Sequence, residues 1–135
     1  MTYYGGIAGS NTGATVSKCA FTGTYNPTYF TNTTRYASGI AYDGTISNCI
    51  VVGNLGGGGT GHVARIAFSN NSMISNCYYC SEMVFTGSDQ KDNGSSLSLS
   101  NINSSYTYSN TLQFSNSIWN YIGLNYSNGV YVDLK

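Results

Sequence analysis

One four-residue phrase occurs three times in this chain: Val16-Ser17-Lys18-Cys19, Ile46-Ser47-Asn48-Cys49 and Ile74-Ser75-Asn76-Cys77. The copies recur at intervals of 30 and 28 residues. A period of that size marks a supersecondary unit stacked on copies of itself, because one unit cannot bury its own apolar face. Upstream of each phrase lies a second mark, Ile7-Ala8, Ile40-Ala41 and Ile66-Ala67. Turn-forming residues separate the two marks: Ser10 to Gly13, then Asp43-Gly44, then Ser69 to Ser72. Each unit therefore reads as strand, polar turn, strand and a variable return segment.

The spacing inside the phrase carries a further constraint. Val16, Ile46 and Ile74 lie three positions before Cys19, Cys49 and Cys77, so both marks point inward only if a bend intervenes at the serine and asparagine. Beyond the cysteines, alternation assigns Phe21, Val51 and Tyr79 to the inner face and Thr22, Val52 and Cys80 to the outer one. Two of these strands close on glycine, Gly23 and Gly53. The expected fold is all-β: a β-solenoid of about three coils, with repeats at about 5–35, 36–62 and 63–94. Its core ladder is expected to comprise Cys19, Cys49, Cys77, Val16, Ile46, Ile74, Ile7, Ile40 and Ile66. Residues 95–135 depart from the period. Leu97-Ser98-Leu99 alternates as a strand, and the segment is expected to form an atypical β cap around Trp119.

Composition supports this class. Only 7% of the 135 residues are charged and the formal net charge is zero, against about 25% charged in an ordinary soluble domain. A nucleic-acid or anionic-membrane binder needs a basic footprint that this chain lacks. Neither a run of apolar residues long enough for a membrane helix nor a signal peptide is present, so no membrane insertion by this segment is expected. The start opens directly into a repeat, as a piece of a longer chain would.

These residues resemble the GLUG-repeat family of bacterial cell-surface proteins, whose units run approximately Gly-Gly-Leu-Val-Gly-x-Asn-x-Gly and then Ile-x-Asn-Cys-Tyr. The match lies in Gly5-Gly6-Ile7-Ala8-Gly9-Ser10-Asn11-Thr12-Gly13 with Val16 to Cys19, in Gly39-Ile40-Ala41 with Ile46 to Cys49, and in Ile74 to Tyr78. Trp119 and Val130 to Lys135 are similar to the segment that often follows such repeats. Lys18 in place of asparagine, and Ala64-Arg65 in place of the leading glycines, depart from the pattern. The resemblance implies a β-solenoid in a large secreted or surface-anchored protein, often adhesin-like, and implies no catalytic residues.

Several constellations suggest chemistry. Cys77-Tyr78-Tyr79-Cys80 has the spacing of a zinc or dithiol pair, yet no second pair and no cluster of histidines accompanies it. The three period-marking cysteines are better read as an internal ladder of small free thiols. Gly56 to Gly61 lacks the lysine of a phosphate-binding loop, and His62, the single histidine, reads as a solvated loop residue. Asp43 fits an Asp-Gly turn. Asp89, Asp92 and Asn93 could offer oxygens to calcium but lack the ligand spacing of a known loop. No metal and no cofactor are expected. Tyrosine is the suggestive surface residue. Tyr25, Tyr29, Phe30 and Tyr36 cluster in the first return segment and offer large contact area at low entropic cost. The expected function is a non-catalytic structural and adhesion module, extracellular or at the cell surface. Its expected partners are a host or neighbouring-cell protein or glycan, and the adjacent repeats of its parent protein. The alternatives are a polysaccharide-cleaving β-helix, lyase or hydrolase, which would need clustered acids, and a pure spacer or assembly module.

Overall fold

A computed structural model of the chain describes residues 2–10, 13–24, 35–56, 62–87, 89–104, 106–115, 119–120 and 133–134. The first repeat gives β1 (Thr2–Gly5), β2 (Thr15–Ser17) and β3 (Ala20–Phe21). The second gives β4 (Arg35–Ser38), β5 (Thr45–Ser47), β6 (Ile50–Val51) and β7 (Leu55–Gly56). The third gives β8 (His62–Ala64), β9 (Met73–Ser75), β10 (Tyr78–Cys80) and β11 (Phe85–Thr86). They assemble by position in the repeat: β1, β4 and β8 lie side by side in one sheet, β2, β5 and β9 in a second, and β3, β6 and β10 in a third, all parallel. β7 and β11 pair parallel as well. The described chain is thus strand-rich and built on parallel sheets. The register keeps like with like, with Val16 opposite Ile46 and Ile46 opposite Ile74.

The bend required by the repeated phrase is a single left-handed residue. Lys18, Asn48 and Asn76 have φ of 54°, 52° and 49°, a conformation that asparagine tolerates and most residues avoid. It turns the chain from the second sheet into the third. Each cysteine then folds back over its own corner: the Sγ atoms of Cys19, Cys49 and Cys77 donate to the carbonyls of Ser17, Ser47 and Ser75 at 3.3, 3.2 and 3.3 Å. Cys77 Sγ also lies 3.5 Å from the Ile46 carbonyl of the preceding repeat. The repeated glycines answer a different need, close backbone approach. A Cβ on Gly39 would stand 2.1 Å from the Arg65 carbonyl oxygen and 2.6 Å from the Val51 side chain. One on Gly53 would stand 1.5 Å from the Gly23 carbonyl oxygen.

The core runs through the middle repeat. Ile40, Ile46, Cys49, Ile50, Val51 and Leu55 are fully buried and join Val63, Ile66 and Cys77 from the next repeat. Several expected positions differ. Ile7, assigned to the ladder, is 45% exposed because it lies on the first repeat, where no described strand covers it. Cys19 and Ile74 are half-buried, and Val16 sits at the margin of the core. Val52 and Cys80, assigned outward, are buried. Strict alternation fails there because β6 spans only two residues before the chain turns at Gly53, so Ile50, Val51 and Val52 all find apolar neighbours.

The residues after β11, including the end of the expected third repeat, contribute more strand and less cap than their sequence suggests. β12 (Asp89–Lys91) extends the first sheet beyond β8, and β13 (Ser95–Leu97) extends the third beyond β10. This fourth rung omits the turn and the second-sheet strand, the counterpart of β2, β5 and β9, between them. Asn93 stands in for the missing backbone. In the earlier repeats the paired N–H groups of Ile7 and Ala8 donate to the Ile40 carbonyl, and those of Ile40 and Ala41 to the Ile66 carbonyl. The N–H groups of Ile66 and Ala67 instead donate to the side-chain Oδ1 of Asn93 at 2.9 and 3.4 Å, while its Nδ2 donates to the Ala67 carbonyl.

The cap is not all-β as expected. Residues after β13 form a short α1 (Leu99–Ile102), capped by the Ser98 hydroxyl accepting from the Asn101 N–H, and a π-helical turn at Thr107–Thr111. Helical turns satisfy their own backbone groups, so they can lie across the end of a sheet stack that offers no further strand. They bring Ile102, Tyr108, Leu112 and Phe114 into the core. Asn76 Nδ2 reaches the Thr111 carbonyl at 2.5 Å, and Gln113 repeats the left-handed corner (φ 57°) just before buried Phe114. Trp119, expected at the centre of the cap, belongs to β14 (Trp119–Asn120), which pairs antiparallel with β15 (Asp133–Leu134). Its side chain lies outside the described residues.

Two substitutions test these devices. Asn93→Leu removes the acceptor for two N–H groups and should lower unfolding free energy by about 2–3 kcal/mol in urea titration, at the usual cost of unsatisfied buried donors. Lys18→Asn relieves a left-handed lysine and should raise stability by up to about 1 kcal/mol. A destabilised Lys18→Asn protein would contradict the corner geometry.

Candidate functional site

The described tyrosine of the expected binding set, Tyr36, belongs to an aromatic cluster; Tyr25, Tyr29 and Phe30 lie outside the described residues. Tyr36 on β4 is the register partner of His62 on β8, and the two rings stack at 4.5 Å between centroids, 11° from parallel. Beyond the paired Ala41 and Ala67, a second pair forms in the same way: Tyr42 and Phe68 lie 6.3 Å apart and 10° from parallel. The pairs meet edge to face, Tyr36 at 5.6 Å from Tyr42 and 5.0 Å from Phe68, and His62 at 5.5 Å from Phe68. Edge-to-face contact places the positive rim of one ring on the negative face of another. Two residues further along the same strands, Ser38 and Ala64 are small and buried.

Phe68 is the buried member of the cluster, and Tyr36, Tyr42 and His62 are half-buried. Lys91 on β12 places its ammonium 4.8 Å from the Phe68 centroid and donates to Asn70 Oδ1. The arrangement combines apolar ring surface with a cation and a side-chain amide. It suits stacking against the apolar face of a sugar ring or against a partner's side chain, with polar groups at the border to orient it. His62 is therefore no solvated loop residue. It heads a strand and forms half of one ring column. Sequence reading misses it because the ring partners are 26 residues apart in Tyr36 and His62, and only the register brings them together.

The other candidates are occupied. Arg65, standing where the first two repeats have glycine, lies over the rings of Tyr79 and Phe85 at 3.9 and 4.2 Å, with Nε 2.5 Å from Asp92. Asp92 and Asn93 are thereby taken up by Arg65 and the backbone at 66–67, not turned together toward a cation. Asp43 accepts from the Ser10 hydroxyl at 3.3 Å. Glu82 accepts from Ser81 Oγ at 2.6 Å and from Cys80 Sγ at 3.3 Å, and the Ser81 hydroxyl above all holds its carboxyl below the ordinary range. Among the described residues no group of three histidine, cysteine or acidic side chains is arranged to hold a metal ion, and no helix is long and apolar enough to cross a membrane.

All four cysteines are free. The Cys77 and Cys80 thiols face different partners, the carbonyls of Ser75 and Ile46 for one and Glu82 for the other. Burial pushes the Cys19 and Cys80 thiols up from their ordinary range. Cys49 is pushed up by the hydrogen bond it shares with Cys77 and by burial. The same hydrogen bond pulls the Cys77 thiol down from its ordinary range, and what protects it is burial, at 3% exposure; the other thiols are protonated and so poor nucleophiles. In native protein at pH 7.5 a thiol-specific disulfide reagent should modify half-buried Cys19 first, while Cys49, Cys77 and Cys80 should react only in denaturant. Fast native labelling of Cys49 would place it outside the core.

No protein-family model, curated protein or solved structure matches this chain.

Proposed function

We propose that the chain is a β-solenoid segment of a secreted or cell-surface protein, acting as a non-catalytic adhesion module that binds a glycan or protein. The solenoid reading is supported by three parallel sheets, each taking one strand from every repeat in matched register, and by the recurring left-handed corner between two of them. The observation that carries the binding reading is the half-exposed cluster of Tyr36, Tyr42, His62 and Phe68 beside Lys91 and Asn70. A scaffold of this kind holds such rings rigidly, so a ligand meets a surface already ordered and little entropy is lost on binding.

The polysaccharide-cleaving alternative needs carboxylates free to act as acid and as base or nucleophile. Asp43, Glu82 and Asp92 instead accept hydrogen bonds from Ser10, from Ser81 and Cys80, and from Arg65. The spacer alternative predicts no ligand at all, and one experiment separates it from adhesion. Tyr36→Ala should reduce binding on a glycan array or to host cells at least tenfold, the effect of losing a central aromatic contact. It should cost about 1.5–4 kcal/mol of stability, because Tyr36 contacts three rings at about 0.5–1.5 kcal/mol per pair, so binding is compared well below the melting transition. Tyr36→Phe should keep both. If Tyr36→Ala and the triple change of Tyr25, Tyr29 and Tyr36 to alanine leave binding intact, the site lies elsewhere. If wild-type protein binds nothing, the spacer reading holds.

A further inference from the structure

The polar border of the ring cluster has chemistry of one kind. Beside Tyr36 and His62, the register column holds the small buried residues Ser38 on β4 and Ala64 on β8, and its next member, on β12, is Lys91. The Lys91 ammonium lies 4.8 Å from the Phe68 centroid and donates to Asn70 Oδ1. Both partners are neutral, and among the described residues Lys91 makes no ion pair. An ammonium has three donors and no acceptor. Asn70 is exposed, its Oδ1 is taken by Lys91, and its Nδ2 has no partner among the described residues. What this border still offers a ligand is N–H, backed by one positive charge.

From this border we infer that the cluster binds an acidic saccharide, a chain of uronic-acid rings, and that Lys91 selects its carboxylate; this narrows the ligand and rests on the adhesion reading. A uronate carries its carboxylate on the sugar ring itself, so an apolar C–H face and a negative charge arrive as one rigid unit. The protein presents the matching pair, aromatic rings and an ammonium in contact with one of them. An acidic side chain of a protein partner holds its carboxylate on a flexible stem, with no ring face beside it, and loses rotamer freedom on binding.

Charge distribution favours the same ligand. A densely charged acidic protein or a nucleic acid is met by a basic patch, whereas this chain has five lysines and arginines in all and zero net charge. A single ammonium beside the rings suits one charge per sugar unit. Nearby carboxylates are engaged elsewhere, Asp43 with Ser10 and Asp92 with Arg65. Asp89 is the register partner of His62, and its side chain lies outside the described residues. Lysine on an outermost strand also discourages edge pairing, but a lysine with that role alone could be lost without changing ligand selectivity.

The test is calorimetric titration with oligomers of galacturonate and of mannuronate, each beside its methyl ester, which keeps the rings and removes the charge. Wild-type protein should bind at least one acid about tenfold or more tighter than its ester, the scale of a hydrogen bond to a charged group. Added salt should narrow that gap. Lys91→Gln should bring acid and ester to equal affinity, and Lys91→Arg should keep them apart. The ratio is read within each variant, so a general loss of binding does not imitate the effect. Equal affinity of wild-type protein for acid and ester overturns the proposal and leaves the adhesion reading standing. So does binding of a neutral glycan or a protein with none to either acid. A gap that survives Lys91→Gln also overturns it, as does equal competition by an oligoglutamate of the same charge. If nothing binds, both readings fall together.

Discussion

The left-handed residue between serine and cysteine is the constraint on which the remaining structure depends. Without it, Val16 and Cys19 would face opposite sides, and the apolar positions of the second and third sheets could not converge on one interior. The thiol completes the corner. A cysteine is small enough to tuck beneath a bend, and its weak donor meets the serine carbonyl two residues back. The same local structure then recurs at matched register, so each corner stacks on the next. Asn76 donates to Asn48 along the outside of that column while Ile46 and Cys49 are fully buried inside it. Burial of each such aliphatic side chain is worth about 1.5–3 kcal/mol, so packing between repeats outweighs the backbone cost of the corner itself.

Much of this architecture is legible in the sequence because it is periodic. The recurrence of Val/Ile-Ser-x-Cys exposes both the strands and the bend, and Ile-Ala exposes the facing strand. What stays hidden is whatever happens once. Ile7 carries the repeat pattern, yet its exposure depends on being first in the stack, a property of order and not of residue type. The helical turns around Tyr108 arise where the fourth rung skips a strand, and polar residues such as Thr107, Ser109 and Asn110 give no apolar period to announce them. Asn93 reads in the sequence only as a candidate calcium oxygen; its role toward the backbone of Ile66 and Ala67 depends on where the rungs place those groups.

The aromatic cluster shows how the repeat generates a surface that no single repeat contains. Tyr36 and His62 occupy equivalent positions in successive repeats, as do Tyr42 and Phe68, and register turns both equivalences into ring contacts. The residues are not identical from repeat to repeat, so the surface acquires local character on a regular frame. Arg65 does the same elsewhere. Glycine at that position in the first two repeats lets side chains and backbone close in, whereas the arginine side chain, only 13% exposed, fills the corresponding space against Tyr79 and Phe85.

The side-chain amide of Asn93 has a consequence for how such a chain can change in length. It satisfies the last repeat at a fixed local address, the backbone of Ile66 and Ala67, and makes no demand on how many repeats lie behind it. A duplication or deletion of one whole period upstream would deliver the same pair of donors to the same terminator. Length is therefore a modular variable in this fold, while the stop signal is a single residue with its own private partners.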